Sequence, residues 1–293
     1  MTASAPSTIR RHKSKARLYP EELSESVTLE MVCIPSGKFM MGAPENEKDA
    51  EDAERPQHLV TVPAFFMGRY PITQAQYKAV MGINPSNFKD KPEIDRRNLE
   101  RELSDIGMIE TSRLKDKPDS DRRPVENVTW EDANKFCKQL SDRTNRDYRL
   151  PSEAQWEYAC RADKKTPFHF GKTISTELAN YDGNSTYANG EKGVYRGKTT
   201  PVEYFGIANE FGLCDMHGNV WEWCLDTWHS NYDGAPTNGS AWIEVNETSH
   251  LLRGGSCISN PLYCRSAYRL LNSRTNNYDP IGFRVISSAP YLS

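Results

Sequence analysis

The C-terminal region, residues 252–286, constrains the fold of this chain more than any other stretch. It begins with the sequence RGGS, continues with CRSA and closes with IGFRV. Gly254 and Gly255 permit a tight backbone approach. Arg265 and Arg284 can bind main-chain carbonyls or acidic groups, and Phe283 is expected in the core. We therefore predict a rigid frame in which two strands flank a long irregular segment.

The residues between these motifs, called gap residues below, show neither a helical period of about 3.6 nor a strand period of about 2. They mix aliphatic, aromatic, hydroxyl and amide side chains, which is typical of binding loops, although an ordinary surface loop has a similar composition. We predict a ligand-binding surface with the tyrosines and leucines as anchors. The predicted binding residues are Cys257, Ile258, Ser259, Asn260, Leu262, Tyr263, Tyr268, Leu270, Leu271, Asn272, Ser273, Thr275, Asn276, Asn277, Tyr278 and Asp279.

The amino-acid usage of this region is restricted. No Lys, Gln, Glu, Met or Trp occurs after Glu247, although all five are frequent earlier in the chain. Every gap residue belongs to the set whose codons end in a pyrimidine, which is the set reached from an Asn codon by changing its first two bases. The restriction is a property of the genetic code, and no folding principle requires it.

These motifs, together with GLCDMHGNVWEWC at 212–224, resemble the domain of formylglycine-generating enzymes, a divergent C-type lectin fold, over roughly 27–287. They also resemble the variable proteins of diversity-generating retroelements that use this domain. In those systems a reverse transcriptase misreads the adenines of a template RNA, so that Asn codons are scattered over many residues. The resemblance implies that 252–286 is a variable region and that the protein is a receptor-like binder of changing macromolecular targets.

The same resemblance raises an enzymatic alternative. Formylglycine-generating enzymes oxidise a substrate cysteine with copper held by two cysteines, and one of those positions matches Cys264 while the other falls on Ser259. A hydroxyl is a poor ligand for Cu(I), so we do not expect copper, although Cys257 could form a displaced pair with Cys264. A binding module of the same fold that is not diversified is a further alternative.

Calcium is the cofactor that the resemblance implies. Asp215 and Glu222 could offer carboxylates, and Gly218 and Val220 main-chain carbonyls, which matches one calcium site of the family residue by residue. Alternatively, the two carboxylates only accept hydrogen bonds from exposed amides while the neighbouring tryptophans pack.

Local patterns predict an α+β fold with two main helices and short antiparallel strands. Capping boxes at Thr73 and Ser152, and a cap at Thr129, begin a short helix and two amphipathic ones. Their predicted buried faces contain Ala133, Phe136, Cys137 and Leu140 in one helix and Trp156, Ala159 and Cys160 in the other. Apolar runs on either side of Pro35 predict a hairpin, and 58–67 a further strand. We expect the acidic loop 43–55 to be solvated.

The domain boundaries follow from charge. Residues 1–26 are predicted to be a basic disordered tail, 27–293 the domain, and about 90–123 a charged insertion. A net charge of −3 and no basic stripe argue against general nucleic-acid binding. Because we find no export signal or membrane-spanning stretch, we expect a soluble cytoplasmic protein with reduced cysteines and no membrane partner.

Overall fold

The computed structural model describes residues 16–89, 119–276 and 280–288. Three helices and eleven strands are found there, together with short 3-10 turns at Asp52–Glu54, Asp119–Arg122 and Pro261–Cys264. The helices are α1 Gln74–Met81, α2 Trp130–Thr144 and α3 Glu153–Arg161. The strands are β1 Leu18–Ser24, β2 Val27–Ile34, β3 Gly37–Met41, β4 His58–Val62, β5 Phe65–Gly68, β6 Tyr148–Arg149, β7 Trp221–Thr227, β8 Ser249–Arg253, β9 Leu270–Ser273, β10 Ile281–Gly282 and β11 Ile286–Ser288.

The strands form three sheets within the described residues. A five-stranded antiparallel sheet has the order β1-β2-β5-β11-β6, and β3 pairs with β4 in a two-stranded sheet. A four-stranded sheet has the order β10-β7-β8-β9, in which β10 is parallel to β7 and the other pairs are antiparallel. The prediction of an α+β fold is thus confirmed.

The helices begin where the sequence predicts. Thr73, Thr129 and Ser152 each accept a hydrogen bond from the third residue of their helix, whose side chain bonds back to the cap. Gly82 ends α1 with a φ of 77°, a left-handed conformation that favours glycine. All the residues of the two predicted helix faces are buried, which fixes α2 and α3 against the sheets.

Apolar side chains pack on both faces of the four-stranded sheet. Trp223 of β7 and Leu252 of β8 join a cluster with Phe136 and Phe283. The residues next to them, Cys224 and Leu251, point to a second cluster around Trp156. The chain segment that follows β8 therefore starts from a strand whose last four residues are buried. No helix in the described parts of the chain is both long and apolar enough to cross a membrane.

Two strand predictions are wrong. Around Pro35 the chain leaves one sheet for another, because β2 pairs with β1 and β5 while β3 pairs with β4. The turn packs on α3 instead, where Tyr158 donates a hydrogen bond to the Pro35 carbonyl at 3.1 Å. The single strand predicted over 58–67 is two strands, β4 and β5, separated at Pro63 and Ala64.

The predicted boundaries also need correction. Part of the predicted tail is ordered, since β1 pairs with β2 along its length and Tyr148 donates a hydrogen bond to Glu21 at 2.7 Å. The C-terminal region is less irregular than expected, because β9 and a 3-10 turn lie between its frame motifs. Most of the predicted insertion, 90–118, lies outside the described residues.

Candidate ligand-binding site

Buried arginines hold the C-terminal region to the rest of the domain. Arg265 is the clearest case, because its guanidinium contacts Glu54 at 2.6 Å and Glu47 at 2.7 Å, and all three side chains are almost fully buried. It also donates to the Asp49 carbonyl at 3.1 Å. The pairing with two carboxylates is the charge-assisted geometry that fixes an arginine rigidly. The acidic loop 43–55 is therefore a docking element for Arg265, and its predicted solvation is wrong for Glu47 and Glu54.

Two further arginines attach the region to the first turns of α3. Arg269 binds Glu153 at 2.7 Å, and Arg253 binds Glu157 and the main-chain carbonyls of Ala267 and Tyr268. Burial alone would raise the pKa of Glu157, but the adjacent Arg161 and Arg253 lower it below its usual value. Glu157 is thus ionised at neutral pH and pairs with Arg253 in the interior, although the Nε of Arg253 has no hydrogen-bond partner among the described residues.

Arg284 attaches the last part of the C-terminal region to the domain in the same way. Arg284 contacts Glu222 of β7 at 2.6 Å and donates to the carbonyls of Gly68 and Cys214 at 3.0 and 3.1 Å. Trp156 donates to the same carboxylate at 2.8 Å. These bonds confirm the expectation that Arg265 and Arg284 tie acidic groups and carbonyls, and Phe283 is fully buried as predicted.

The two glycines of the RGGS motif make the turn into the gap residues. Gly254 and Gly255 have φ values of 93° and 73°. A Cβ atom at Gly255 would lie 2.5 Å from the sulfur of Cys264, which leaves no room for any side chain. The turn brings Cys257 and Cys264 into the same buried layer, where burial first and the neighbouring Cys257 second raise the pKa of the Cys264 thiol far above its ordinary value.

The first exposed group of gap residues follows this turn. Ile258 is 43% exposed and Tyr263 37%, while Asn260 and Leu262 are half-buried. Asn260 caps the short 3-10 turn by accepting a hydrogen bond from the Leu262 amide at 3.0 Å. The Tyr263 ring lies 4.9 Å from that of Tyr268, centroid to centroid. The side chains of Ile258 and Tyr263 are thus exposed on a segment whose backbone is fixed by the capped turn.

The second group lies on β9 and the turn that follows it. Leu271 is 46% exposed, Ser273 and Thr275 are exposed, and Asn272 and Asn276 are half-buried. Their side-chain hydrogen bonds stay within the group: Asn276 donates to the Asn272 side chain at 2.9 Å, and the hydroxyls of Ser273 and Thr275 lie 3.2 Å apart. Leu270 is half-buried against the core.

Not all predicted binding residues reach the surface. Cys257, Ser259 and Tyr268 are buried, at 0%, 7% and 7% exposure, and we correct them from surface contacts to interior ones. The physical reason is local packing: Ser259 bonds the Ser256 hydroxyl at 2.8 Å, and Tyr268 packs against Trp221. Asn277, Tyr278 and Asp279 lie outside the described residues.

The predicted calcium ligands are brought together only in part. One carboxylate oxygen of Asp215 is buried and has no hydrogen-bond partner among the described residues. Burial raises the pKa of Asp215 to about 7, with Arg284 lowering it and Glu222 raising it. A buried oxygen without a partner suits a cation, but the Gly218 carbonyl already accepts the Val220 amide at 3.0 Å. Glu222, however, is engaged by Arg284 and Trp156, so it would share its carboxylate with them.

His217, near this motif, is a structural residue. Its Nε2 accepts the His169 main-chain N–H at 3.1 Å, so its Nδ1 donates to the Cys264 carbonyl at 2.7 Å. Burial lowers the pKa of His217 to about 4, which keeps the ring neutral. Its hydrogen bond to the Cys264 carbonyl helps to fix the turn that contains Cys264.

Sequence reasoning missed the carboxylates that receive the arginines. Glu153 and Glu157 carry a signal, because their spacing of four residues places both on one face of α3, next to the frame arginines. Glu47 and Glu54 carry none, since nothing in an acidic loop distinguishes a buried glutamate from a solvated one.

Comparisons with known proteins agree with this geometry. A family model described as the sulfatase-modifying factor enzyme 1-like domain matches residues 17–289. The formylglycine-generating enzyme of Mycobacterium tuberculosis is 35% identical over 99 residues, which are 30% of this chain and 33% of that enzyme. The chain therefore spans about a third of the length of this curated relative. The inactive C-alpha-formylglycine-generating enzyme 2 of Bos taurus is 26% identical over 288 residues, covering 92% of this chain and 91% of that protein.

Two solved structures share the whole fold. PvdO from Pseudomonas aeruginosa has a TM-score of 0.71 and 31% identity, and covers 95% of this chain and 100% of its own. Treponema denticola variable protein 1 also has a TM-score of 0.71, with 23% identity, 94% coverage of this chain and 100% of its own. The prediction of a C-type lectin fold of the formylglycine-generating type is confirmed.

Proposed function

The chain belongs to the sulfatase-modifying factor enzyme 1-like domain family, and from this premise we propose that it is a non-enzymatic ligand-binding protein. Its binding surface would be the exposed gap residues of the C-terminal region. A retroelement would be the source of their diversity, and the ligand a protein or another macromolecule.

One observation carries this proposal: the residues that hold the C-terminal region in place are not the residues that it exposes to solvent. The guanidinium groups of Arg253, Arg265, Arg269 and Arg284 are buried, and every carboxylate they bind lies outside the C-terminal region. The hydrogen bonds of the gap side chains on and after β9 stay within the region: the Ser273 and Thr275 hydroxyls lie 3.2 Å apart, and the Asn272 side chain accepts from the Ser273 amide and the Asn276 side chain. Replacing an exposed gap residue therefore breaks none of the buried ion pairs that hold the region in place.

The energetic contrast is large. Removing one partner of a buried ion pair costs about 3–5 kcal/mol, whereas most surface substitutions change stability by less than about 0.5 kcal/mol. A scaffold with stability of about 5–15 kcal/mol tolerates many changes of the second kind and few of the first. The domain thus has the physical properties that a diversified receptor requires.

The restricted composition after Glu247 supports diversification of the coding DNA. The exposed gap residues Ile258, Tyr263, Leu271 and Thr275 all have codons reachable from an Asn codon. The variable protein of Treponema denticola shares the fold, which supports the idea that this fold accommodates such a surface.

Ligands selected from a displayed library of small folded domains test the binding surface. The full chain serves as the target, and affinity is measured for a variant with Ile258→Asn, Tyr263→Asn and Leu271→Asn. A matched control carries Ile83→Asn, Val194→Asn and Val245→Asn, which are exposed apolar residues elsewhere. We expect most independent ligands to lose at least about tenfold in affinity with the first variant and little with the control. Equal losses in both, or none in the first, would refute the surface.

The enzymatic alternative rests on the neighbouring buried thiols of Cys257 and Cys264. Its weakness is Ser259, which supplies a hydroxyl already bonded to Ser256. Incubation of the chain with Cu(I), oxygen, a thiol reductant that supplies the two further electrons needed to reduce oxygen to water, and a cysteine-containing peptide decides between the two. We expect no aldehyde on the peptide. An aldehyde that disappears with Cys264→Ser but persists with the control Cys33→Ser would establish the oxidase instead.

A further inference from the structure

The outer strand of the four-stranded sheet lies inside the predicted binding surface. β9 pairs with β8 along one side, with Leu270 opposite Leu252 and Leu271 opposite Leu251. In the described part of the chain no strand pairs with its other side. β9 is therefore an edge strand made of gap residues.

The direction of its main-chain groups follows from the neighbouring hydrogen bonds. The Ser249 carbonyl accepts a hydrogen bond from the Trp228 amide at 2.9 Å, so Ser249 faces β7. Thr248 faces β9, because its carbonyl accepts from the Arg274 amide at 3.1 Å. Since these directions alternate along an antiparallel pair, Leu270 and Asn272 point their amides and carbonyls at β8. Leu271 and Ser273 point theirs outward.

Of the two residues that point outward, only one has its main-chain amide and carbonyl in local hydrogen bonds. Ser273 donates its amide to the Asn272 side chain at 2.9 Å and accepts from the Asn276 amide at 3.0 Å. The main-chain groups of Leu271 have no such partner among the residues described, and its side chain is 46% exposed. A donor and an acceptor are thus available at the middle of an uncharged strand.

One edge of the other large sheet, β1, is protected. β1 carries Pro20 and two glutamates, and its register shifts between Glu22 and Ser24, where it bulges. Proline, charge and bulges are the features by which proteins prevent strand addition. β9, with the sequence LLNS, has no proline or charged residue and pairs in unbroken register. The features that disfavour strand addition are thus present at β1 and missing from β9.

We propose that β9 binds an extended peptide segment of a partner protein by strand addition, an inference that rests on the proposed function above. The added strand would exchange main-chain hydrogen bonds with Leu271 while its side chains meet the neighbouring gap residues. Main-chain groups stay the same when side chains are replaced. A diversified surface thereby keeps a constant source of affinity and changes only its specificity.

A second copy of the chain fits this edge less well. Four residues of strand extend roughly 13 Å, and pairing two such strands buries far less than the 1,200 Å² or so that a stable protein interface needs. A flexible segment is not limited in this way, because it continues over the surface beyond β9. The extended peptide is therefore the occupant that we infer.

Short linear peptides, selected by display against the full chain, test the inference. Leu271→Pro removes the outward amide without touching the β8–β9 hydrogen bonds, because that amide faces away from β8. Leu271→Ala is the matched control that removes the side chain and keeps the amide. We expect Leu271→Pro to weaken peptide binding at least about tenfold and Leu271→Ala only a few-fold.

N-methylation of the selected peptides gives a second readout that does not depend on the folding of the proline variant. Methylation of one amide, the one that donates to the Leu271 carbonyl, should abolish binding, and methylation of the amides on either side of it should not, because these face away from β9. Peptides that tolerate methylation everywhere and bind Leu271→Pro normally would overturn strand addition. If folded-domain ligands still require Ile258 and Tyr263 in that case, the proposed function stands without it. A dimer that Leu271→Pro dissociates would replace the peptide with a second copy.

Discussion

At the scale of single residues, the C-terminal region is held in place by arginine side chains that are buried in the protein interior. A buried guanidinium is tolerated only when carboxylates and carbonyls replace its hydration, and Arg265 has two carboxylates and a carbonyl. The arginines were predictable as frame residues from their motifs. Their partners were not, because Glu47 and Glu54 lie more than two hundred residues away in sequence.

Replacement of Arg265 should show how much of the stability this frame supplies. Arg265→Met leaves two carboxylates buried without a counter-charge, and we expect the free energy of unfolding in urea to fall by about 3–5 kcal/mol. Arg122→Met is the matched control, since the ion pair of Arg122 with Glu203 is exposed and should contribute about 1 kcal/mol or less. Similar losses in the two variants would contradict a buried anchoring role.

A cation at Asp215 is the second prediction at this scale. We propose calcium, because the buried oxygen of Asp215 has no partner among the described residues. Added calcium should raise the thermal midpoint of the wild-type chain, and a chelator should reverse the effect. Asp215→Asn should abolish both, whereas Asp233→Asn, at an exposed site, should not. Because only the ionised carboxylate binds a cation, the rise should be larger above pH 7 than near pH 5.

At the scale of elements, local signals predicted the helices and failed for the strands. The caps at Thr73, Thr129 and Ser152 act within one helical turn, so the sequence contains the whole cause. Strand pairing has distant causes: β2 turns away from β3 because β1 and β5 flank it. β9 was missed for the same reason, since its four residues become a strand only by pairing with β8.

The long loop between β7 and β8 gives a prediction about pH. Asp226 accepts the main-chain amides of Trp242 in this loop and Glu153 in α3, at 2.8 and 2.7 Å. Burial first, and the nearby Glu153 second, raise the pKa of Asp226 to about 7, and the two amides lower it. The folded state thus binds this proton more tightly than the unfolded chain.

The sign of the effect follows from that difference. The contribution of Asp226 to stability is fully present below about pH 4 and is lost as the pH rises through about 7. We expect Asp226→Asn to flatten the decline of the urea midpoint across this range, while Asp233→Asn leaves it unchanged. A slope identical to that of the wild-type chain would show that Asp226 is ionised throughout.

At the scale of the whole molecule, apolar clusters and buried ion pairs support a surface that contributes little to stability. The family and the fold could be predicted from the motifs of the C-terminal region, because its glycines make the turn after β8 and its arginines bind buried carboxylates of the domain. The division of the gap residues into buried and exposed ones could not be predicted. Cys257, Ser259 and Tyr268 share the composition of their exposed neighbours, and only packing separates them.

The most direct test of diversification is the sequence of the DNA that flanks this gene. We predict a near-copy of the coding region for residues 252–285, differing from it only at adenines, beside a gene for a reverse transcriptase. The differences should fall in codons of gap residues and spare those of Gly254, Gly255, Arg265 and Arg284. Flanking DNA without such a copy would contradict diversification by a retroelement, and the oxidation assay with Cys264→Ser would then take precedence.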